Sequence, residues 1–232
     1  MTTTDPLGPP VDATPAERPG PVTLSGRYCR IEKLDVDRHA DGLWQVLKDD
    51  DRVWIYLAYG PFRERAAFDA WLAERAASLD PYFYAILDAE NGKVLGQFTL
   101  MEIRPAMRVI EVGNVLYSPA LQRTRAATEA QYLLARYAIE TLRYRRYEWK
   151  CNALNAPSRR AADRFGFTFE GIFRQHMIIK GANRDTAWYA IIDKDWPLIR
   201  AAFEAWLDPG NFDEDGKQKA SLADIMKKRA TA

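Results

Sequence analysis

The chain has few cysteines, no long hydrophobic run and almost no net charge, and each absence excludes a class of protein. Its 232 residues include two cysteines, Cys29 and Cys151, too few for the disulfide framework of a small secreted domain. No apolar run approaches the roughly 20 residues that span a bilayer, and no basic segment followed by an apolar one opens the chain. The balance of 33 basic and 32 acidic side chains creates no global field for nucleic acid.

These absences predict a cytoplasmic protein that binds neither a membrane nor nucleic acid. The two histidines, His39 and His176, lie far from each other and from any group of cysteines, so we expect no metal site. The remaining composition, 47% hydrophobic and 28% charged, is typical of a globular domain. At this length we expect one compact domain with tails.

Both ends of the chain differ in composition from its middle. Residues 1–21 contain six prolines and almost no large apolar side chain, which predicts a flexible arm. Residues 208–232 open with Asp-Pro-Gly-Asn and mix acidic with basic residues, so we expect a peripheral polar tail with one short helix at most. The predicted single domain comprises residues 22–207.

Periodicity within this domain predicts a mixed α/β fold with one sheet of six to seven strands. Alternating apolar residues and turn signals predict strands at 27–34, 82–87, 94–103, 109–117, 146–151, 167–179 and 185–192. Helical spacing predicts helices after Asp35 or Asp37 and at 63–78, 128–142, 158–165 and 196–207. The connection from 109–117 through a helix to 146–151 is long enough for a parallel crossover.

The most informative stretch runs from Leu116 to Phe167. A strand ending at Tyr117-Ser118 precedes a polar turn, a long amphipathic helix and a second strand, after which comes Asn155-Ala-Pro-Ser158. A helix N-terminus presents unpaired backbone N–H groups, and a turn before it can add more of them around a diphosphate. This turn reads Gln122-Arg123-Thr124-Arg125-Ala126-Ala127. The segment could instead be a capped, solvated turn before a core helix.

This order of elements and motifs resembles the acyl-coenzyme A core of the GNAT acetyltransferase superfamily, and is most similar to its ribosomal-protein N-acetyltransferases of the RimJ and RimL kind. The resemblance implies a GNAT-like sheet, mixed and largely antiparallel, flanked by helices. It also implies acetyl-coenzyme A as the cofactor and a primary amine as the acceptor. The cofactor-contacting residues that it implies are Leu116, Tyr117, Ser118, Gln122, Arg123, Thr124, Arg125, Ala126, Ala127, Thr128, Asn155 and Ser158.

Two positions depart from the family pattern. Arg125 stands where the phosphate loop of the family has its central glycine, so either the backbone is ordinary there or the cradle is distorted. Ala162 stands where many relatives have a tyrosine that protonates the departing thiolate. The resemblance to the RimJ and RimL branch points to Ser158 for that role. Asn155 and Ser158 could equally cap the helix that follows.

The acceptor side offers weaker signals. Glu111, on a strand beside the expected thioester, is the candidate catalytic base, because the pKa of a carboxylate in a cleft can be raised. It could equally face solvent, and Glu148 is a weaker alternative. The resemblance implies a backbone N–H near Val115 or Leu116 as the oxyanion donor. The predicted acceptor-binding residues, of which the aromatic ones could equally be core, are Trp54, Tyr82, Arg174 and His176.

The favoured function is therefore an N-acetyltransferase that works by direct attack in a ternary complex, without a covalent acyl-enzyme. A protein N-terminal α-amine is the leading acceptor, since it titrates near ~8 and needs less help to lose its proton than a lysine amine near ~10.4. Two alternatives stay open: acetylation of a small-molecule amine such as an amino sugar or polyamine, and a domain that binds coenzyme A without turnover. Either a monomer or a homodimer is compatible with the sequence.

Overall fold

Eight strands form one sheet in the computed structural model, which describes residues 8–230. They are β1 (Leu24–Ser25), β2 (Cys29–Lys33), β3 (Tyr82–Asp88), β4 (Val94–Arg104), β5 (Val109–Tyr117), β6 (Arg146–Asn152), β7 (Thr168–Ile179) and β8 (Ala182–Ile192). The strand order is β1-β2-β3-β4-β5-β6-β8-β7, and only the pair β5 and β6 is parallel. The mixed, largely antiparallel sheet is confirmed. Its eighth strand escaped prediction because two residues are too short to show alternation.

Six α-helices accompany the sheet within the described residues. They are α1 (Val36–Leu47), α2 (Arg65–Ala77), α3 (Arg125–Arg136), α4 (Ala156–Arg164), α5 (Trp196–Leu207) and α6 (Leu222–Ala230). α3 continues as a π-helical turn, Tyr137–Thr141, to the predicted end of this helix. Across residues 8–230, no helix combines the length and apolar character needed to cross a membrane.

α3 begins three residues earlier than predicted. Its N-cap is Thr124, whose Oγ1 accepts a hydrogen bond from the N–H of Ala127 at 3.1 Å. A threonine in this role satisfies one of the unpaired donors at a helix start. The second half of the predicted polar turn, Arg125 to Ala127, is therefore the first turn of the helix.

Apolar side chains pack on both faces of the sheet. On one face, which we call the α3 face, Ile110, Val112 and Tyr147 belong to a cluster that includes α3 and α5. On the other, which we call the cleft face, Phe83 and Leu116 pack with α1 and α2. Because strand residues alternate, the neighbours of the α3-face residues on β5 and β6 point to the cleft face.

The two ends of the chain lie against this domain where the structure describes them. Residues 1–7 of the expected flexible arm lie outside the described residues. Further along, the N–H of Ala16 donates to Pro105 O at 3.1 Å, and Tyr84 OH donates to Gly20 O at 3.1 Å. In the expected polar tail, the predicted short helix exists as α6, and its Leu222 is buried in the α3-face cluster. Both segments thus extend the core.

Candidate functional site

A wedge-shaped opening separates β5 from β6. The two strands pair in register from Val109 and Arg146 as far as Val112 and Trp149. Beyond these residues β5 and β6 have no further pairing in the described chain. The backbone of β5 after Val112 is consequently free on its β6 side, which leaves a slot through the sheet.

A β-bulge lies at the mouth of this opening. On β5, Gly113 pairs with Thr99 of β4 while Leu116 pairs with Gln97, so two residues of β5 face one of β4. The first of them, Asn114, has a left-handed φ of 47°. Its side chain fixes the bulge, because Oδ1 accepts from Tyr59 OH at 2.8 Å.

Gly113 is required by the close approach of β4. A Cβ at this position would overlap the sulfur of Met101. A glycine inside a strand is typical of a bulge, of a close ligand or of a position that relieves packing against a neighbour. The bulge follows directly at Asn114, and the neighbour is a thioether rather than a ring.

The turn before α3 presents free backbone donors. Ser118 O accepts the N–H groups of Leu121 and Gln122, whereas those of Arg123, Arg125 and Ala126 have no acceptor among the described residues. The left-handed φ in this loop, 64°, belongs to Arg123. Arg125 is the first residue of α3, so the backbone there is ordinary, which is the first of the two alternatives that the sequence left open.

Two side chains predicted to contact the cofactor are engaged elsewhere. Gln122 Nε2 donates to Tyr117 O at 2.9 Å, which turns this side chain back onto its own loop. The guanidinium of Arg125 lies 4.9 Å from the ring centroid of Tyr28 and 4.7 Å from that of Phe212. A guanidinium held between two rings is stabilised by cation–π contacts. This loop therefore offers its main chain and the exposed side chain of Arg123 to a ligand.

Several other predicted cofactor residues have buried side chains, so that only their backbones can contact a ligand. Thr128 is representative, since its Oγ1 donates to Thr124 O at 3.4 Å and accepts from Arg164 at 3.0 Å. The hydroxyl of Tyr117 accepts a hydrogen bond from Gln131 at 2.9 Å. The buried members of the set are Leu116, Ser118, Ala126, Ala127 and Thr128.

Asn155 and Ser158 lie at the start of α4, beside the opening. Asn155 Oδ1 accepts from the N–H of Ser158 at 3.1 Å, so the capping interpretation holds. The amide nitrogen of Asn155 has no partner in the described part of the chain and can still donate. Ser158 Oγ accepts from Trp149 Nε1 at 3.0 Å, which leaves its own proton available.

A buried charge cluster lies on the cleft face. Lys150 Nζ is 2.7 Å from Glu111 Oε2 and 3.0 Å from Glu148 Oε2. Burial raises the pKa of Glu111 to about 7, although the charge of Lys150 opposes this shift. Burial alone would raise the pKa of Glu148 too, but hydrogen bonds from Arg146 and Lys150 outweigh it and lower that pKa. Of the two candidate bases, only Glu111 changes its charge near neutral pH.

The hairpin of β7 and β8 walls the cleft. Trp188 lies beneath Lys150, whose Nζ is 4.2 Å from the centroid of the indole ring. His176 Nδ1 is 3.0 Å from Thr186 Oγ1, and the imidazole packs edge-on against Phe173. These side chains share the face that carries Glu111.

Residues 51–60, which lie in the connection between α1 and α2, contact the hairpin of β7 and β8 that forms this wall. Lys180 Nζ, at the tip of the hairpin, donates to Trp54 O at 3.0 Å. Tyr56 OH donates to Leu154 O at 3.3 Å, after the end of β6. The cleft is thus bounded by the sheet, the hairpin and this connecting segment.

Three of the four predicted acceptor-binding side chains lie away from the cleft. Trp54 is 2% exposed and packs against Tyr59 and Trp71 in the core, so only its backbone meets the hairpin. Tyr82 lies in the α3-face cluster. Arg174 follows Phe173 and so points to the opposite face of the sheet. There, hydrogen bonds from Gln175 and Asn183 lower the pKa of Asp185, and the charge of Arg174 lowers it further.

His176 alone of that set is part of the cleft wall. Sequence reasoning missed Lys150 and Trp188. Each is a single polar or aromatic residue within a strand of mixed composition. These residues share one face of the sheet, and that shared face is the signal that could have identified them. It can be recognised only when the strand order β5-β6-β8 is known.

Comparison with known proteins agrees with this geometry. A family profile described as "Acetyltransferase (GNAT) domain" matches residues 30–168. The crystal structure of a GCN5-related N-acetyltransferase from Brucella melitensis superposes with a TM-score of 0.91. That protein is 46% identical in sequence, and the match covers 93% of this chain and 99% of that one.

Two proteins of Bacillus subtilis (strain 168) are more distant relatives. "Probable N-acetyltransferase YjcK" is 30% identical over 123 residues, which are 53% of this chain and 67% of the relative. "Putative ribosomal N-acetyltransferase YdaF" is 24% identical over 173 residues, which are 72% of this chain and 90% of the relative.

Proposed function

Because the chain belongs to the GNAT family of acetyltransferases, in its RimJ/RimL-like branch, we propose that it acetylates the α-amine of a protein N-terminus. The chain is an N-acetyltransferase, and its family uses acetyl-coenzyme A, which supplies an acyl group activated as a thioester. The choice of acceptor is the finer part of the proposal. It depends on the chemistry of the cleft.

The residues beside the opening fit acetyl-coenzyme A. The free N–H groups of Arg123, Arg125 and Ala126 lie at the positive end of the α3 dipole, which suits a diphosphate. The slot between β5 and β6 gives an extended pantetheine arm a path through the sheet, with the amide nitrogen of Asn155 beside it. Together these features support the cofactor assignment.

Glu111 carries the proposal for the acceptor. With a pKa of about 7, it is ionised in part at neutral pH and can take a proton from an ammonium group that enters the cleft. Transfer from an α-amine with a pKa of ~8 to such a base is uphill by about 1.4 kcal/mol, whereas transfer from a lysine amine is uphill by about 4.6 kcal/mol. The base is matched to an α-amine.

Lys150 keeps an ion-pair partner while Glu111 changes its charge. It pairs with both Glu111 and Glu148, so it still has a carboxylate partner after Glu111 has taken up a proton. Without Glu148 the protonation of Glu111 would leave a buried, unpaired ammonium group, which is costly. Lys150 thus positions the base without trapping it in the ionised form.

Two further groups complete the transfer in this proposal. A backbone N–H at Val115 or Leu116, beside the bulge, donates to the carbonyl oxygen as negative charge develops there. The amine nitrogen forms the new bond to the carbonyl carbon, and the bond to sulfur breaks. Ser158 donates its hydroxyl proton to the departing sulfur, and water relays to Ser158 the second proton that the amine nitrogen loses as it becomes an amide. No covalent acyl-enzyme is needed.

The name of YdaF describes a ribosomal acetyltransferase, which supports a protein acceptor for this chain as well. The test is a panel of matched acceptors incubated with acetyl-coenzyme A. It comprises a lysine-free peptide with a free N-terminus, an N-acetylated peptide with one internal lysine, an amino sugar and a polyamine. Free thiol release gives kcat/KM, and mass spectrometry locates the acetyl group.

We expect the free N-terminus to give the highest kcat/KM. A higher value for the internal lysine or for a small amine would overturn the choice of acceptor. Calorimetric binding of coenzyme A without thiol release from any acceptor would contradict the acetyltransferase mechanism described above.

A further inference from the structure

Arg184 faces the same cleft as the proposed base. It lies on β8, two and four residues before Thr186 and Trp188, so alternation places the three side chains on one face. Trp188 stacks beneath Lys150, which binds Glu111. The negative charge of Glu111 is close enough to raise the pKa of Arg184, although burial outweighs it.

The guanidinium of Arg184 has no partner among residues 8–230. Its Nε is buried without a hydrogen-bond acceptor, and no carboxylate forms an ion pair with it in that range. Burial lowers the pKa of Arg184, and the charge of Glu111 opposes this only in part. Arg184 is half-buried, and leaving a partly desolvated cation without an anionic partner is costly, so this group suits an anionic ligand.

Neighbouring arginines on the cleft face show that partners are the rule there. Arg104 and Arg146 each lie 2.7 Å from an oxygen of Glu148. Asp185, which is adjacent to Arg184 in sequence, points to the opposite face and accepts from the N–H of Gln175 at 2.7 Å. No carboxylate in residues 8–230 forms a salt bridge with Arg184.

We propose that Arg184 binds a carboxylate of the acceptor, so that the enzyme prefers amines that carry an acidic group near the reacting nitrogen. This inference rests on the proposed function, because it assumes that the amine approaches Glu111. A guanidinium suits this role, since its planar donors match the two oxygens of a carboxylate. The acceptor then presents its ammonium group to Glu111 and its carboxylate to Arg184.

Two sources of this carboxylate are possible. In a protein N-terminus, it is the side chain of an aspartate or glutamate at the second or third position. In a small molecule, it is the α-carboxylate of a free amino acid. The experiment therefore compares four acceptors: a peptide with glutamate at its second position, the same peptide with glutamine there, glycine, and glycinamide.

The kcat/KM of each acceptor is measured with the wild-type protein, Arg184→Gln and Arg174→Gln. Arg174 is the matched control, because it is an exposed arginine of the same hairpin on the opposite face. We expect the wild type and Arg174→Gln to prefer the acidic peptide over its glutamine counterpart by about tenfold to hundredfold. Arg184→Gln should lose this preference, mainly through a higher KM for the acidic peptide.

Binding provides a second readout that does not depend on turnover. Calorimetry with coenzyme A already bound should show tighter binding of the acidic peptide to the wild type than to Arg184→Gln, with unchanged affinity for coenzyme A. Equal binding of the acidic and neutral peptides to the wild type, or an intact preference in Arg184→Gln, would overturn the inference. Preference for glycine over glycinamide, lost in Arg184→Gln and without peptide turnover, would support the inference while contradicting the protein acceptor.

Discussion

The two sides of the candidate site are built in different ways. The cofactor side consists of two short continuous segments, residues 116–128 and 155–158. Their free hydrogen-bond donors belong largely to the main chain. On the acceptor side, Glu111, Lys150 and Arg184 come from three strands and act through their side chains. One side is set by local backbone geometry and the other by the order of strands in the sheet.

This difference decides how each side tolerates change. A ligand bound by backbone N–H groups is insensitive to most side-chain replacements, which explains how arginine can occupy the loop position of the family's glycine. A buried ion pair is sensitive to the loss of either partner, because the remaining charge is left uncompensated. Substitutions that separate binding by backbone N–H groups from binding by charged side chains therefore test this comparison of the two sides.

The largest effect is expected on the acceptor side, for Glu111→Gln. Removal of a general base lowers kcat/KM by about 10²- to 10⁴-fold. In the wild type, kcat/KM should rise with pH as Glu111 ionises around pH 7, and this limb should disappear in the variant. Affinity for coenzyme A, measured by calorimetry, should be unchanged.

Stability separates lost chemistry from lost folding in Glu111→Gln. Burial raises the pKa of Glu111 above its ordinary value, so its protonated form favours the native state, and this contribution is lost as pH rises from about 4.5 to about 7. The variant should thus melt no lower than the wild type at pH 8. The control is Glu170→Gln, a more exposed carboxylate that pairs with Arg146. Retention of full activity in Glu111→Gln would refute its role as base.

On the cofactor side, Arg125→Pro removes one backbone N–H without breaking the helix. Proline is tolerated at the first helical position, and Thr124 before it already has an extended ψ of 168°. Arg125→Ala is the matched control, since it loses the same contacts with Tyr28 and Phe212 but keeps the N–H. Loss of a hydrogen bond to a charged phosphate should weaken coenzyme A binding by about tenfold to hundredfold in the proline variant relative to the alanine variant.

Equal dissociation constants for these two variants, measured by calorimetry, would show that this N–H does not bind the cofactor. Weak binding by both would instead assign the role to the arginine side chain. Either outcome would contradict the view that the cofactor side binds its ligand through the main chain while the acceptor side binds through side chains.

The same distinction explains what the sequence predicted. Gln122 to Ala127 and Asn155 to Ser158 could be located from sequence because helix caps and turns are local signals. Glu111 was proposed from its strand position, but its raised pKa depends on burial and on the opposing charge of Lys150, which lies 39 residues away. Trp54 and Tyr82 lie in the core, the alternative that the sequence left open, because aromatic residues look alike in sequence whether they line a cleft or fill a core.

Arg174 shows a further limit. Its predicted place in the acceptor site depended on which face of β7 it occupies, and β7 is irregular between Phe173 and Met177. An irregularity of this kind can change the face on which later residues point, and the sequence does not mark it. The seven longer strands were predictable from their apolar residues and turn signals, whereas the two-residue β1 was not.

A smaller effect is expected at the junction of the two sides, for Gly113→Ala. The new Cβ would overlap the sulfur of Met101, and forcing a methyl group into packed space costs about 1–3 kcal/mol of unfolding free energy. Denaturant titration should detect this loss. Met101→Ala removes the overlapping atoms, so the double variant should recover part of the stability lost in Gly113→Ala. A single variant as stable as the wild type would show that β4 and β5 adapt at this point.

The smallest effect concerns Asn155, which has two roles on the cofactor side. Its Oδ1 caps α4, while its amide nitrogen is free to donate to the pantetheine arm. Asn155→Asp keeps an acceptor for the cap but removes the donor, and Asn155→Ala removes both. We expect unfolding free energy to fall by about 1 kcal/mol in the alanine variant and to be nearly unchanged in the aspartate variant. Coenzyme A should bind about two- to tenfold more weakly to both. If Asn155→Asp bound coenzyme A as tightly as the wild type, Asn155 would act only as the cap of α4. The cofactor side would then consist of main-chain donors alone.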